Sequence, residues 1–200
     1  MTEATWQPGE LLRLFEDSGA VSRGHFTLSS GLHSDMYVQC ALVLQHPQHA
    51  ERLGRSLAAR FEGTAIHCVV SPALGGILVG HEVARALAVR AIFAERDASG
   101  HLTLRRGFTV EPGERVLVVE DVWTTGGSTQ ETIAAIDEAG GRVVAAGALI
   151  DRSSGRLSLP VRTQALLELA IKNYEPEDCP LCHAGGNPER PGSRYLRAPR

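Results

Sequence analysis

Apolar positions divide the chain into a short opening and a longer, regularly alternating stretch. Leu11, Leu12, Leu14 and Phe15 recur at helical spacing and the pattern stops at Gly19, predicting an amphipathic helix over 10–19. In GHFTLSSGLHSDMYVQCALVL, Gly24 to Leu44, the apolar residues Phe26, Leu28, Tyr37 and Val38 flank a Ser-Gly turn, predicting strand, turn and strand. A helix from about Gln48 to Phe61 then leads into Ile66 to Val70, an apolar, β-branched run of the kind expected for a buried parallel strand. Beyond it the pattern predicts helix 76–88, strand 90–94, a polar hairpin-like excursion 95–109, strand 115–120, helix 127–139 and strand 143–150. Strands interleaved with helices imply an α/β fold, a parallel twisted sheet flanked by helices, with ligands at the carboxyl ends of the strands. The stretch from Asn173 onward, rich in Pro, Gly and charge, is expected to be an irregular extension.

Two hundred residues suffice for one full domain and are too few for two catalytic ones. We therefore expect a single domain over 1–200, with a hood region 1–45, a core 46–172 and the extension 173–200. No apolar run approaches the roughly 20 residues that span a bilayer, and MTEATWQPGE lacks the marks of a signal peptide, so a cytoplasmic protein is expected. A net charge of -3 argues against a general nucleic-acid binder, which needs a basic face. Lys172 is the only lysine, so arginine carries nearly all positive charge. Cys179 and Cys182 form CPLC, followed by His183, and could supply half of a tetrahedral zinc site. A symmetric dimer, or Cys40 with a histidine, could supply the other half; the alternative is a plain structural turn.

The chemistry concentrates in RVLVVEDVWTTGGSTQETIAAI, Arg115 to Ile136. An apolar strand delivers Glu120 and Asp121 to the ligand-facing edge. Thr124, Thr125, Gly126, Gly127, Ser128 and Thr129 then lead into a helix whose amino terminus, with its N–H groups and hydroxyls, suits a phosphate. The segment has neither the GK[ST] of a P-loop nor a G-x-G-x-x-G fingerprint. Carboxylates beside a phosphate repel it unless they serve hydroxyls or a metal, so a phosphorylated sugar with vicinal hydroxyls is the economical ligand. A strand, a turn and an N-capped helix with no ligand would use similar residues.

This segment resembles the signature of the type I phosphoribosyltransferases. The resemblance implies their fold, with a small amino-terminal hood and a flexible loop, and a site for phosphoribosyl pyrophosphate (PRPP). Glu120 and Asp121 would hold the ribose hydroxyls, with Val122 and Trp123 beside them, and Thr124, Thr125, Gly126, Gly127 and Ser128 would bind the 5-phosphate. Mg2+ would accompany the pyrophosphate, held against Leu74 and Gly75 in the loop SPALGGILVG. FTLSSGLHSDMYVQC is similar to the hood of the orotate branch, and in LIDRSSG Arg152 matches the arginine that branch uses on orotate. A guanidinium meets the carboxylate of orotate with two parallel hydrogen bonds. Thr124, Tyr37 and Ser29 would complete the base site. Residues 95–109 fall where the family has a mobile loop shared across a homodimer, and there Arg96 and His101 match its arginine and histidine. The loop departs from the pattern in having no lysine; Arg105 and Arg106 could neutralise the leaving group, or be only a solvated hairpin face. The expected activity is orotate phosphoribosyltransfer in pyrimidine biosynthesis. The alternatives are a non-catalytic PRPP sensor and a purine phosphoribosyltransferase.

Overall fold

In a computed structural model, which describes residues 6–7, 9–28 and 30–191, the alternating stretch folds as a six-stranded sheet. Its strands are β3 (Cys68–Pro72), β4 (Arg90–Arg96), β5 (Leu102–Leu104), β6 (Arg115–Trp123), β7 (Arg142–Asp151) and β8 (Arg162–Glu168), in the order β5-β4-β3-β6-β7-β8. All neighbours are parallel except β4 and β5, which form the hairpin foreseen at 95–109. Side chains alternate across a strand. Val69, Leu117 and Val119 accordingly enter one core with Leu53 and Leu57 of α3 (Pro47–Ala59) and Val79 and Val83 of α4 (Gly76–Leu87). Cys68, Val70, Val116 and Val118 enter a second, with Ile133 and Ile136 of α5 (Gly127–Glu138). Both faces are covered, which is why these strands read as uninterrupted apolar runs.

The chain leaves β3 toward β4 on one side and returns to lay β6 on the other. The loops after β3 and β6 therefore diverge at the same end of adjacent strands, the switch point where α/β sheets open a ligand crevice.

The opening helix α1 (Glu10–Asp17) precedes the hood strands β1 (Val21–Thr27) and β2 (His33–Val38), with α2 (Ala41–Leu44) behind them. The segment from Asn173 is more ordered than the expected irregular extension. Its β9 (Asn173–Tyr174) adds antiparallel to β2, and a 3-10 turn and α6 (Pro180–His183) follow. Two further elements depart from the expected pattern. β8 fills a stretch where no element is foreseen, because it joins β7 without an intervening helix, and β6 continues to Trp123 instead of ending at residue 120.

Candidate active site at the switch point

Glu120 and Asp121 lie in the second half of β6, half-buried at the opening of the crevice. The Glu120 carboxylate accepts a hydrogen bond from the Thr129 hydroxyl, which in turn accepts one from Trp123 Nε1–H at 2.9 Å. Burial pushes the Glu120 carboxyl up to about 7, reinforced by the neighbouring Asp121 charge and opposed by Thr129 and Ser128. Asp121 is raised as well, chiefly by burial. The crevice therefore holds two carboxyl groups that water solvates poorly.

Trp123 supports the acidic pair from behind. It is 1% exposed in the second core, where its indole N–H orients Thr129 and, through it, Glu120. The loop that follows keeps its predicted form. Thr124 and Thr125 are exposed, and Gly126 takes a φ of 80° where a Cβ would come within 2.6 Å of Leu157. Since α5 begins at Gly127, the N–H groups of its first turn have no acceptor within the helix, and that of Gly127 meets the Thr125 hydroxyl at 3.4 Å. Ser128 is half-buried in this turn.

The loop after β3 closes the other side. The Ala73–Leu74 peptide is cis, and Leu74 is 84% exposed. A Cβ on Gly75 would lie 2.6 Å from both Asp121 carboxylate oxygens, so this loop touches the acidic pair and any side chain at Gly75 would displace the carboxylate. This contact joins the predicted pyrophosphate loop and the acidic pair into one site.

Arg152 follows β7, its backbone N–H bonded to the Trp123 carbonyl. Ser153 N–H donates to the Asp151 carboxylate at 2.7 Å, and this turn aims the guanidinium toward Asn173, whose Oδ1 accepts from it at 3.4 Å. No carboxylate pairs with Arg152 among the described residues, and burial lowers its pKa. Beside it a cleft of about 470 Å³ is lined by Leu32, Ser154, Arg156, Ile171, Asn173 and Glu175. Tyr37 packs on Phe26, ring centres 5.8 Å apart, with no bond to its hydroxyl among the described residues. Ser29 falls outside the described residues.

The loop cations are engaged elsewhere. Arg96 pairs with Glu131 of α5 at 2.8 Å and bonds the Gly100 carbonyl. His101 Nδ1 meets the Ser99 hydroxyl at 3.0 Å, and Arg105 and Arg106 both face Glu95, at 3.8 and 2.8 Å. Among the described residues none of them bonds to residues 124–128.

The cysteines also sort differently from expectation. Cys40 is fully buried with Sγ 3.9 Å from the Asp121 carbonyl, and the side chains gathered beside Cys179 and Cys182 are His25 and His33 of the hood.

Residues 42–175 match the family model described as phosphoribosyl transferase domain. An orotate phosphoribosyltransferase of Pelotomaculum thermopropionicum is 57% identical over 94% of this chain and 98% of its own length. The chain belongs to the orotate phosphoribosyltransferase family. Solved structures place this phosphoribosyltransferase in the same fold. That of the Aeropyrum pernix orotate phosphoribosyltransferase, 27% identical, superposes with a TM-score of 0.68 over 80% of this chain and 93% of that one. The Mycobacterium tuberculosis orotate enzyme in complex with PRPP, 26% identical, gives 0.65 over 80% and 96%.

Proposed function

We infer that the chain transfers the ribose 5-phosphate of PRPP to orotate, giving orotidine 5-phosphate and pyrophosphate in pyrimidine biosynthesis in the cytoplasm. The observation that carries the reading is the joined crevice: phosphate-binding N–H groups, two desolvated carboxyls and, one strand away, a guanidinium without a counter-charge.

Each group then has a task. Thr124 to Ser128 hold the 5-phosphate with backbone N–H groups and hydroxyls, and Glu120 and Asp121 accept from the ribose hydroxyls. As the C–O bond to pyrophosphate lengthens, positive charge grows on the ribose. Carboxylates already stripped of water interact with that charge more strongly than with the neutral ground state. Arg152 meets the orotate carboxylate and turns the ring nitrogen toward the ribose, within the cleft of Leu32 and Asn173. Thr124 and Tyr37 border the base in this reading. The two carboxyls are hard oxygen donors beside the Gly75 loop and would hold a Mg2+. When bound, that ion offsets the charge of the departing pyrophosphate. Arg96 and His101 approach the pyrophosphate once Arg96 leaves Glu131. Leu74 and Leu78, 84% and 51% exposed beside Gly75, support a homodimer whose partner covers this edge.

Purified protein mixed with orotate, PRPP and Mg2+ should consume orotate, followed by its loss of absorbance. Binding of PRPP without turnover would make the chain a sensor. Consumption of adenine or hypoxanthine but not orotate would make it a purine enzyme.

A further inference from the structure

Four side chains that the transfer reaction does not use converge on the far side of the hood. His25 stands on β1 at the irregularity between Arg23 and Phe26, and His33 opens β2 opposite Thr27. Cys179 and Cys182 flank the start and lie within α6. One ligand atom from each lies within 4.8 Å of all the others. His25 Nε2 is 3.1 Å from His33 Nδ1, 3.4 Å from Cys179 Sγ and 3.6 Å from Cys182 Sγ, and Cys182 Sγ is 3.3 Å from His33 Nδ1.

Hydrogen bonding does not account for this geometry. One imidazole nitrogen carries one proton or one lone pair, yet His25 Nε2 faces three polar atoms at once. Its Nδ1 is buried without a hydrogen-bond partner, so the ring is oriented only by what it meets at Nε2. A single cation satisfies all four groups together. Zinc bonds of about 2.0–2.1 Å to nitrogen and about 2.3 Å to sulfur give a tetrahedron with edges of roughly 3.3–3.8 Å, close to the separations observed. The softness of two thiolates with two imidazoles selects zinc over Mg2+ or Ca2+.

We propose that His25, His33, Cys179 and Cys182 form a structural zinc site that pins the carboxyl-terminal segment to the hood. All four ligands are protein side chains, so the site is closed and has no position for a substrate. Its mechanical effect is defined by the neighbouring backbone. β9 pairs with β2 on one side of the site, and on the other Glu189 exchanges hydrogen bonds with His25 and Thr27. The strapped segment carries Asn173, the contact of Arg152. All four ligands lie outside the 42–175 span of the matched family domain.

The test is elemental analysis of the full, untagged chain purified from zinc-supplemented cells, alongside the double variant Cys179→Ser/Cys182→Ser and the variant His33→Cys. We expect one zinc per wild-type chain, none in the double variant, and zinc retained in His33→Cys, which keeps four competent ligands. Replacement by Co2+ should produce thiolate-to-cobalt absorption and the visible bands of a tetrahedral ion. A strong chelator should lower the Tm of the wild type, and added zinc should restore it. Should the double variant fail to fold, the stoichiometry and cobalt spectrum of the wild type still decide. Zinc in the wild type no higher than background with no cobalt–thiolate band, iron in place of zinc, or a Cys179–Cys182 disulfide in the freshly purified chain would each overturn the proposal.

Discussion

Replacing Glu120 by glutamine should stabilise the free protein while impairing the reaction, and the stabilisation should grow with pH. The Glu120 carboxyl titrates at about 7 in the folded chain against an ordinary 4.5, mainly because it is desolvated. A carboxyl raised on folding binds more protons in the native than in the unfolded state between those two values. Native stability therefore falls as pH rises from 4.5 through 7. At about 1.4 kcal/mol per pH unit, the gap amounts to roughly 3 kcal/mol at pH near 8 and less than ~1 kcal/mol at pH near 5. Glutamine has nearly the same shape, accepts the Thr129 hydroxyl as before and never ionises. Asp121 keeps its own burial in both proteins and cancels in the comparison. Urea unfolding of both proteins without ligands, at several pH values from about 5 to 8, should thus show a stability difference that widens by ~2 kcal/mol. Thermal melts should separate by roughly 5–10 °C at the alkaline end for a chain of this size. A difference that stays constant across that range would refute the burial argument, because no neutral packing effect follows the ionisation of one carboxyl.

The other expectations concern single contacts. Arg152→Ala removes a charge-assisted pair worth about 1.5–3 kcal/mol, so the KM for orotate should rise roughly 10- to 100-fold while that for PRPP stays near wild type; equal changes in both would remove Arg152 from the base site. In Gly75→Ala the new methyl would sit 2.6 Å from both Asp121 oxygens, so the carboxylate must shift and kcat/KM for PRPP should fall at least tenfold with the fold unchanged by circular dichroism. Trp123→Phe deletes the donor that fixes Thr129 behind Glu120; kcat should fall several-fold and its pH profile should move, whereas a purely structural tryptophan would leave that profile in place. Glu131→Gln releases Arg96, and if that residue serves the pyrophosphate, the KM for PRPP should drop or hold, while Arg96→Ala should raise it.

What the sequence made legible follows the distance between cooperating residues. The cradle could be read because strand, acidic pair, hydroxyls and helix start are contiguous, so one stretch of chain carries both its pattern and its chemistry. The burial of Trp123 was not legible in the same way, because the extra residues of β6 that turn its indole into the core extend past the apolar run. β8 escaped because the pattern of helices between parallel strands breaks down there. The zinc candidate was half legible. CPLC announces itself, but its partners lie up to 157 residues away in a hood whose pairing alone brings them near.

The lysine-free loop is the remaining place where sequence and structure bear on each other. Arg105 and Arg106 both answer Glu95, and Arg96 answers Glu131, so each predicted cation is already matched by a carboxylate. These pairs are exposed, and exposed pairs hold with only ~1 kcal/mol or less. A pyrophosphate carrying several negative charges outbids a single screened carboxylate, so the ion pairs cost little to exchange. Permanently charged arginines can offset the leaving group without donating a proton to it. His101, held through Ser99 and Asp97, is the group of the loop able to do so. Alanine at His101 should therefore lower kcat with a changed pH profile, whereas alanine at Arg105 or Arg106 should act on the affinity for PRPP and leave that profile alone.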